Sequence, residues 1–347
     1  MEYTIAVDAM SSDNGPEDIL AGVFSFISKH SVRIDLFGDA DTIKNTIRQN
    51  HKDQASKYAE RFSIHHTQNT ILQTDNPLSA LRHKKDSSTH LAVEHVANAQ
   101  ADAVVSCANT GALVAISRYK LKMIKGIERI SLMGSFPTYQ EDHDVYISDI
   151  GATVDAKANH LVQYAELARA YLCSGDAEQK LRVGILNNGV EQIKGNQLTK
   201  EASQLLLACE SIDFKGYVEG DMLYSGAYDL VVCDGFVGNA VLKSCEGAAR
   251  FITHTIKQAL TSHWLGWIIA YPFKWLIRHF GAKLNPARRN GAIVLGVPKV
   301  VIKSHGNSDS VAFENALIIA YKALKNDVTK QLALLAAAKT NKTQTIS

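Results

Sequence analysis

Short apolar runs alternate with longer amphipathic stretches along most of this chain. Tyr3–Val7, Ile34–Phe37, Phe62–His66, Ala103–Ser106, Val183–Leu186, Gly216–Val218 and Leu230–Cys233 predict strands. Several are continuous apolar runs, the pattern of strands covered by helices on both faces of a mostly parallel sheet. Ser131–Phe136 and Val145–Ser148 predict a strand pair about the turn at Gln140–His143. Helices are predicted from Glu17, through Ile43 and Ile47, across Pro77–Gln100 with a break near Asp86–Ser88, at Ala158–Cys173 and at Leu198–Cys209. After Asn239 a long helix repeats Val241, Cys245, Ala248, Ala249, Ile252, Ile256 and Ala259 at helical spacing, which predicts one buried face. Gly266 and Pro272 interrupt it. From Pro272, Phe273, Leu276, Ile277 and Phe280 share a stripe, Lys274 and Arg278 lie on another, and Trp275 turns away from the first. Ile293–Leu295 and Val300–Ile302 predict two more strands, and a helix from about Ser310 to Ala338 precedes a frayed tail over 339–347.

The alternation predicts an α/β fold, a doubly wound and mostly parallel sheet. With no repeat, low-complexity run or Pro/Gly linker, residues 1–338 read as one catalytic unit carrying a helical excursion at 247–290. The length of 347 residues and 46% apolar content are ample for a full core. Five widely spaced cysteines without a C-x-x-C suggest reduced thiols rather than a disulfide framework or zinc site. The N-terminal sequence predicts no secretion signal. The longest near-continuous apolar run, Trp264–Phe273, is about half of the roughly 20 residues a spanning helix needs, which leaves a surface-lying segment open.

Charge changes the picture locally. The net charge of +2 excludes a general nucleic-acid binder, yet Gly247–Ser308 holds nine Lys or Arg, all three tryptophans and no acid. Such a segment suits a partner that is negative and partly apolar. The loops at predicted strand ends are DAMSSDNGP, SCANTG, DIGATVD, NNGVEQIKG and CDGFVGN. They are where such sheets bind ligands. Dinucleotide, P-loop, nucleophile-elbow and zincin motifs are absent from the sequence. Asn109-Thr110-Gly111 and Gly235 to Asn239 precede helices and could hold phosphate, or simply make caps and turns. Lys303-Ser304-His305-Gly306 offers a cation, a hydroxyl and an imidazole, and Lys194 a second cation. Asp8, Asp149 and Asp234 follow apolar strands and could orient a cation, bind metal or cap helices. Cys107 and Cys233 read as core cysteines.

These loops together resemble the bacterial phosphate acyltransferase family of phospholipid synthesis. The matching pieces are VDAM, SALRHKKDSS, SCANTGAL, DIGATVD with LVQYAELA, NNGVEQIKG, VVCDGFVGNAVLK, LNPARRNGA and VIKSHG, in the family's order over nearly the whole length. The chain departs from the family pattern at Ser11-Ser12, Ala108, Thr153 and Val190-Glu191-Gln192. The resemblance implies a fold similar to phosphate acetyltransferases and isopropylmalate dehydrogenases, and a homodimer. It implies transfer of a fatty acyl group from acyl carrier protein to inorganic phosphate. No cofactor is expected, and no metal, since the spacing of the aspartates carries no ligand pattern. The acyl phosphate would pass to a membrane glycerol-3-phosphate acyltransferase, and the protein would be cytoplasmic and peripherally membrane-associated.

A phosphate nucleophile and a thiol leaving group need positioning and oxyanion stabilisation more than a triad. On that chemistry Asp8, Asn109, Thr110, Gly111, Asp234, Gly235, Asn239 and Ser304 are candidates for phosphate or oxyanion contacts. Lys194 and Lys303 would offset phosphate charge, and His305 would assist the departing thiolate. Arg250, Lys257, Arg288 and Arg289 suit an acidic carrier protein. Trp264, Trp267, Phe273, Lys274, Trp275 and Arg278 suit a membrane surface. Two rival readings stay open: a nicotinamide-dependent dehydrogenase on the related fold, and a carrier-protein or membrane-binding scaffold with weakened activity.

Overall fold

The computed structural model describes residues 3–174, 178–261 and 289–345. Its strands are β1 (Tyr3–Asp8), β2 (Val32–Gly38), β3 (Phe62–His66), β4 (Ala103–Ser106), β5 (Ser131–Pro137), β6 (Asp144–Ser148), β7 (Arg182–Leu186), β8 (Asp213–Val218), β9 (Leu230–Val232), β10 (Ala292–Leu295) and β11 (Val300–Lys303). Its helices are α1 (Pro16–Lys29), α2 (Ala40–Asn50), α3 (Lys52–Lys57), α4 (Pro77–His83), α5 (Ser88–Ala97), α6 (Thr110–Leu121), α7 (Ala158–Leu172), α8 (Gln197–Leu207), α9 (Gly235–Thr261), α10 (Ser310–Lys325) and α11 (Val328–Thr345).

The strands form one sheet in the order β3-β2-β1-β4-β11-β10-β5-β6-β9-β7-β8. The strands β3, β2, β1, β4 and β11 run parallel, as do β6, β9, β7 and β8. β10 is antiparallel to both β11 and β5, and β5 is antiparallel to β6. The two parallel blocks therefore point in opposite directions, with β10 and β5 as the reversing strands between them. The mostly parallel, doubly wound sheet expected from the sequence is present; the reversal was not expected.

Strand residues alternate between two cores. Ile5, Val7, Val105, Met133, Ile293 and Ile302 face a core with α1, α7, α8 and α10. Ala6, Val104, Leu132, Val294 and Val301 face a second core with α5 and α6, against which the start of α9 is packed. This two-residue period places helices on both faces. The expected break in Pro77–Gln100 is real: Asn76 caps α4, and Ser87 caps α5.

The structure differs from expectation in α9 and at the C-terminus. α9 starts at Gly235, not after Asn239, so the Gly235–Asn239 motif is its first turn. Its expected buried face holds only in part. Val241, Cys245 and Ala249 are half-buried, whereas Ile252 and Ile256 are exposed, at 43% and 45%, because no described element lies over that stretch. The single C-terminal helix is two helices, parted at Asp327, whose φ of 54° is one that Asp and Asn tolerate better than most residues. The second helix continues to Thr345 through the region read as tail. The Trp264–Phe280 excursion lies outside the described residues.

At the end of β1, Asp8 is fully buried. Its Oδ2 accepts from Ser11 Oγ, Thr89 Oγ1 and Ser106 Oγ, each at 2.7 Å. One carboxylate thus ties β1, β4, α5 and the first loop. Asp8→Ala is expected to lower stability by about 3 kcal/mol, since it leaves three buried hydroxyls without their charged acceptor. A chemical-denaturation curve within about 1 kcal/mol of wild type would contradict that role.

Candidate active site

A cavity of about 330 Å³ lies on the face of the sheet where the two blocks meet. Its floor includes Gly134 of β5 and Ala292 of β10, whose small side chains leave the face open. Thr110 from α6 lies on one side and Asn239 and Lys243 from α9 on the other. Lys303, Ser304 and His305 enter from the end of β11, with Arg289 beside them. Three cations and an imidazole therefore reach one concave site.

Lys303 is buried, and Nζ donates to the Cys107 carbonyl at 3.3 Å and to the Ser304 carbonyl. Burial pushes its pKa down to about 8, against the pull of the Cys107 thiol and Asp13. Asp13 belongs to the first loop, whose backbone N–H donates to the Gly306 carbonyl at 2.7 Å. Ser12 Oγ donates to the same carbonyl at 3.1 Å. Gly306 lies close under two side chains: a Cβ there would stand 2.7 Å from Asp13 Oδ2 and 2.8 Å from Gln73 Nε2, so both would have to shift. Ser11 and Ser12 thus spend their hydroxyls on Asp8 and Gly306.

Asn290 shapes the Lys303–Gly306 loop. Its Nδ2 donates to Ser304 Oγ at 2.6 Å and to the Ala312 carbonyl at 2.9 Å, while Oδ1 accepts from His305 N at 3.0 Å. His305 Nε2 stands 3.2 Å from Glu246 Oε1, and Lys243 Nζ is 3.0 Å from Glu246 Oε2. Burial pushes the Glu246 carboxyl up, but the hydrogen bonds from His305 and Lys243, with their charges, outweigh it and hold the pKa at about 2. Arg289 forms a forked ion pair with Asp144, with Nη2 to Oδ1 at 3.0 Å and Nε to Oδ2 at 3.2 Å.

Of the candidates from sequence, Lys303, His305, Ser304, Thr110 and Asn239 come together around this cavity. Ser304 is wholly buried and bonded to Asn290 and Ser308, so its place is in the loop's scaffold. Asn109 caps α6 through Ala112 N at 3.1 Å and donates to the Gln73 carbonyl at 2.7 Å. Gly111 packs against Pro77. Asp8 is the buried hub described above. Asp234 accepts from Val237 N at 2.9 Å. The Gly235 N–H is already taken by the Thr153 carbonyl at 2.8 Å. Gly238 must be small, since a Cβ would sit 1.8 Å from the Asp149 carbonyl oxygen.

Lys194 stands apart, exposed on the loop after β7. That loop's Asn187, Asn188 and Gly195 line a second cavity of about 390 Å³, with Asp234 and Val237 on its other side. Arg289, assigned to carrier docking, lines the first cavity instead and is only 23% exposed. Arg250 is 69% exposed on α9, 3.9 Å from Glu246. The Lys257 side chain, Arg288, and Trp264, Trp267, Phe273, Lys274, Trp275 and Arg278 lie outside the described residues. Sequence reasoning passed over Glu246, Lys243, Asn290 and Asp144. Glu246 is one residue before the acid-free segment, so a count along the chain hid the acid that faces His305.

Comparison with known proteins agrees with this architecture. A family model described as "Fatty acid synthesis protein" matches residues 3–331. A "Phosphate acyltransferase" of Methylococcus capsulatus is 38% identical over 333 residues, covering 95% of each chain. One of Pseudoalteromonas atlantica is 39% identical over 330 residues, again 95% of each. Among solved structures, a branched-chain phosphotransacylase from Enterococcus faecalis aligns with TM-score 0.59 and 14% identity, over 93% of this chain and 99% of that one, a likeness of fold.

Because the folded Glu246 pKa of about 2 lies below its ordinary 4.5, its stabilising contribution is complete above pH 4.5 and is lost as pH falls towards 2. Glu246→Gln is expected to remove that acid-limb slope, worth roughly 3 kcal/mol at most. Unfolding free energies measured between pH 2 and 6 check this; parallel curves for the two proteins would contradict it.

Proposed function

The chain belongs to the phosphate acyltransferase family of fatty acid synthesis proteins, and on that premise we propose that this acyltransferase, with inorganic phosphate as acceptor, takes its fatty acyl group from the thioester of acyl carrier protein. The observation that carries the reading is the convergence of Lys243, Arg289, Lys303 and His305 on one cavity. Such a cluster suits an anionic nucleophile and the oxyanion that forms when it attacks.

Phosphate attacks the thioester carbonyl directly. A phosphate oxygen bonds to the carbonyl carbon, the carbon–sulfur bond breaks, and the proton phosphate gives up ends on the departing sulfur by way of His305. Acyl phosphate and free carrier thiol result. Lys303 and Arg289 offset phosphate charge, and Thr110 and Asn239 orient it. An acyl-cysteine route is disfavoured by the thiols themselves. Burial pushes Cys107 up to about 12 and Cys233 well above its ordinary value, so neither is a ready thiolate.

The partners follow from the surfaces. Arg250, with Lys257 and Arg288 by sequence, offers positive charge to an acidic carrier protein. Phe251, 71% exposed, and its neighbours Ile252 and Ile256 offer α9 an apolar strip for a second copy in a homodimer. Among the described residues no helix is long and apolar enough to cross a membrane. Contact with the membrane, and delivery of the product to a glycerol-3-phosphate acyltransferase there, is assigned to the segment with Trp264, Trp267, Phe273, Lys274, Trp275 and Arg278. The whole is a cytoplasmic catalytic unit that works at the inner membrane face.

Purified protein given acyl-[acyl carrier protein] and phosphate should form acyl phosphate; its absence would leave the scaffold reading. His305→Ala is expected to lower kcat on the order of a hundredfold, and an unchanged rate would remove His305 from the mechanism. Lysine is charged below its pKa, so phosphate KM, corrected for phosphate's own ionisation, should rise as pH passes about 8. Lys303→Met should raise KM at neutral pH and lose that step; a retained step would place it elsewhere. In liposome flotation, a Trp264/Trp267/Phe273 polar variant should bind less than wild type, and equal binding would sink the membrane assignment.

A further inference from the structure

A second cluster of ligating side chains lies at the β2–β3 edge of the sheet, away from the catalytic cavity. Asp35 pairs in register with Ser63, and Phe37 with His65. Alternate residues share a face, so Arg33, Asp35 and Phe37 of β2 and Ser63 and His65 of β3 all point to the side where α5 packs. α5 brings His95 to the same point. Asp35 is 5% exposed. Its Oδ2 lies 2.9 Å from His95 Nε2, and its Oδ1 lies 3.7 Å from His65 Nε2. Phe37 stacks on His65 at 4.6 Å and meets His95 edge-on at 5.2 Å. Both imidazoles are thus held with Nε2 turned to one carboxylate.

We propose that Asp35, His65 and His95 bind a divalent metal ion of the zinc class. Two imidazole nitrogens and one carboxylate oxygen suit zinc, whereas magnesium and calcium prefer oxygen ligands throughout. With bonds of about 2.0–2.1 Å, neighbouring donors of a tetrahedral zinc stand roughly 3.4 Å apart. The observed 2.9 Å from His95 to Oδ2 and 3.7 Å from His65 to Oδ1 are measured to the two different oxygens of the carboxylate, and one donor atom from each of the three residues lies within 4.8 Å of the others. Without an ion His95 Nε2 is hydrogen-bonded to Asp35 and His65 Nε2 to Ser63 Oγ, so an ion would replace these two contacts while both rings already face the carboxylate.

Ser63 Oγ donates to Asp35 Oδ1 and lies 3.1 Å from His65 Nε2, which puts a hydroxyl beside the fourth position. Arg33 Nε, 3.3 Å from Asp35 Oδ1, is the competing cation. Its side chain is 42% exposed and free to swing into water when the ion enters. The site is structural in character. α5 binds Asp8 through Thr89 near its first turn, and His95 lies six residues on, about 9 Å along the axis. An ion on His95 fixes the far end of the helix that holds the hub of the first loop.

The test is a calorimetric titration of zinc chloride into the full chain freed of metal by chelator, with zinc counted after desalting. One ion per chain is expected, and His65→Ala should weaken binding by more than about tenfold, since even groups that only support a ligand are worth that much. His65 is chosen because it is 38% exposed, and a metal-free melting curve matching wild type shows that the variant folds. A wild-type chain that binds no zinc overturns the site. So does a His65→Ala chain weakened less than tenfold, because the ion then sits on other histidines. The proposal does not depend on the reaction assigned to the catalytic cavity.

Discussion

The structure turns on a single desolvated ammonium. Lys303 ends β11, the last strand of the first parallel block, and its side chain enters the cavity where two oppositely directed strand blocks meet. Burying a charge there is costly unless polar groups replace water. Two replacements come from distant parts of the chain, the Cys107 carbonyl after β4 and the field of Asp13 in the first loop, and the third is the carbonyl of the adjacent Ser304. Asp13 is placed by its backbone bond to Gly306 and by the serines beside it, one of which is anchored on Asp8. Loops from β1, β4 and β11 are thus fixed around one charge, and an anion in the cavity would complete its compensation.

Glu246 supplies the opposite constraint. Lys243 and His305 converge on its carboxylate, so the cations facing the cavity are held by a neighbouring acid. Asp144 does the same for Arg289. Lys243, His305 and Arg289 are each positioned by an acid, whereas Lys303 is held by carbonyls. That arrangement fits a site in which positioning and charge stabilisation carry most of the chemistry.

Much of this was legible in the sequence. The strand Ala103–Ser106 was read to the residue, and the break before Ser88 was placed correctly, because a short apolar run and a cap-rich stretch are local signals. The reversal of strand direction was not legible, since periodicity reports which residues are buried and says nothing of how strands are paired. Lys303 and His305 were found as residue types next to a glycine after an apolar strand. Glu246, Asn290 and Asp144 were missed because their partners are 59, 14 and 145 positions away. The acid-free segment is a fact of the chain, but in space its cations at the cavity face acids from outside it.

The reversed centre of the sheet also sets the order in which the protein can be made. β4 pairs with β11 through Val104 and Val301, and β5 pairs with β10 through Met133 and Ile293. The N-terminal block therefore emerges from the ribosome with β4 as an open apolar edge. Its neighbour follows only after nearly two hundred further residues, roughly 10 to 40 s at ordinary rates of synthesis. Until then that edge is a template for pairing with other chains. Synthesis is therefore the interval in which that edge lies uncovered.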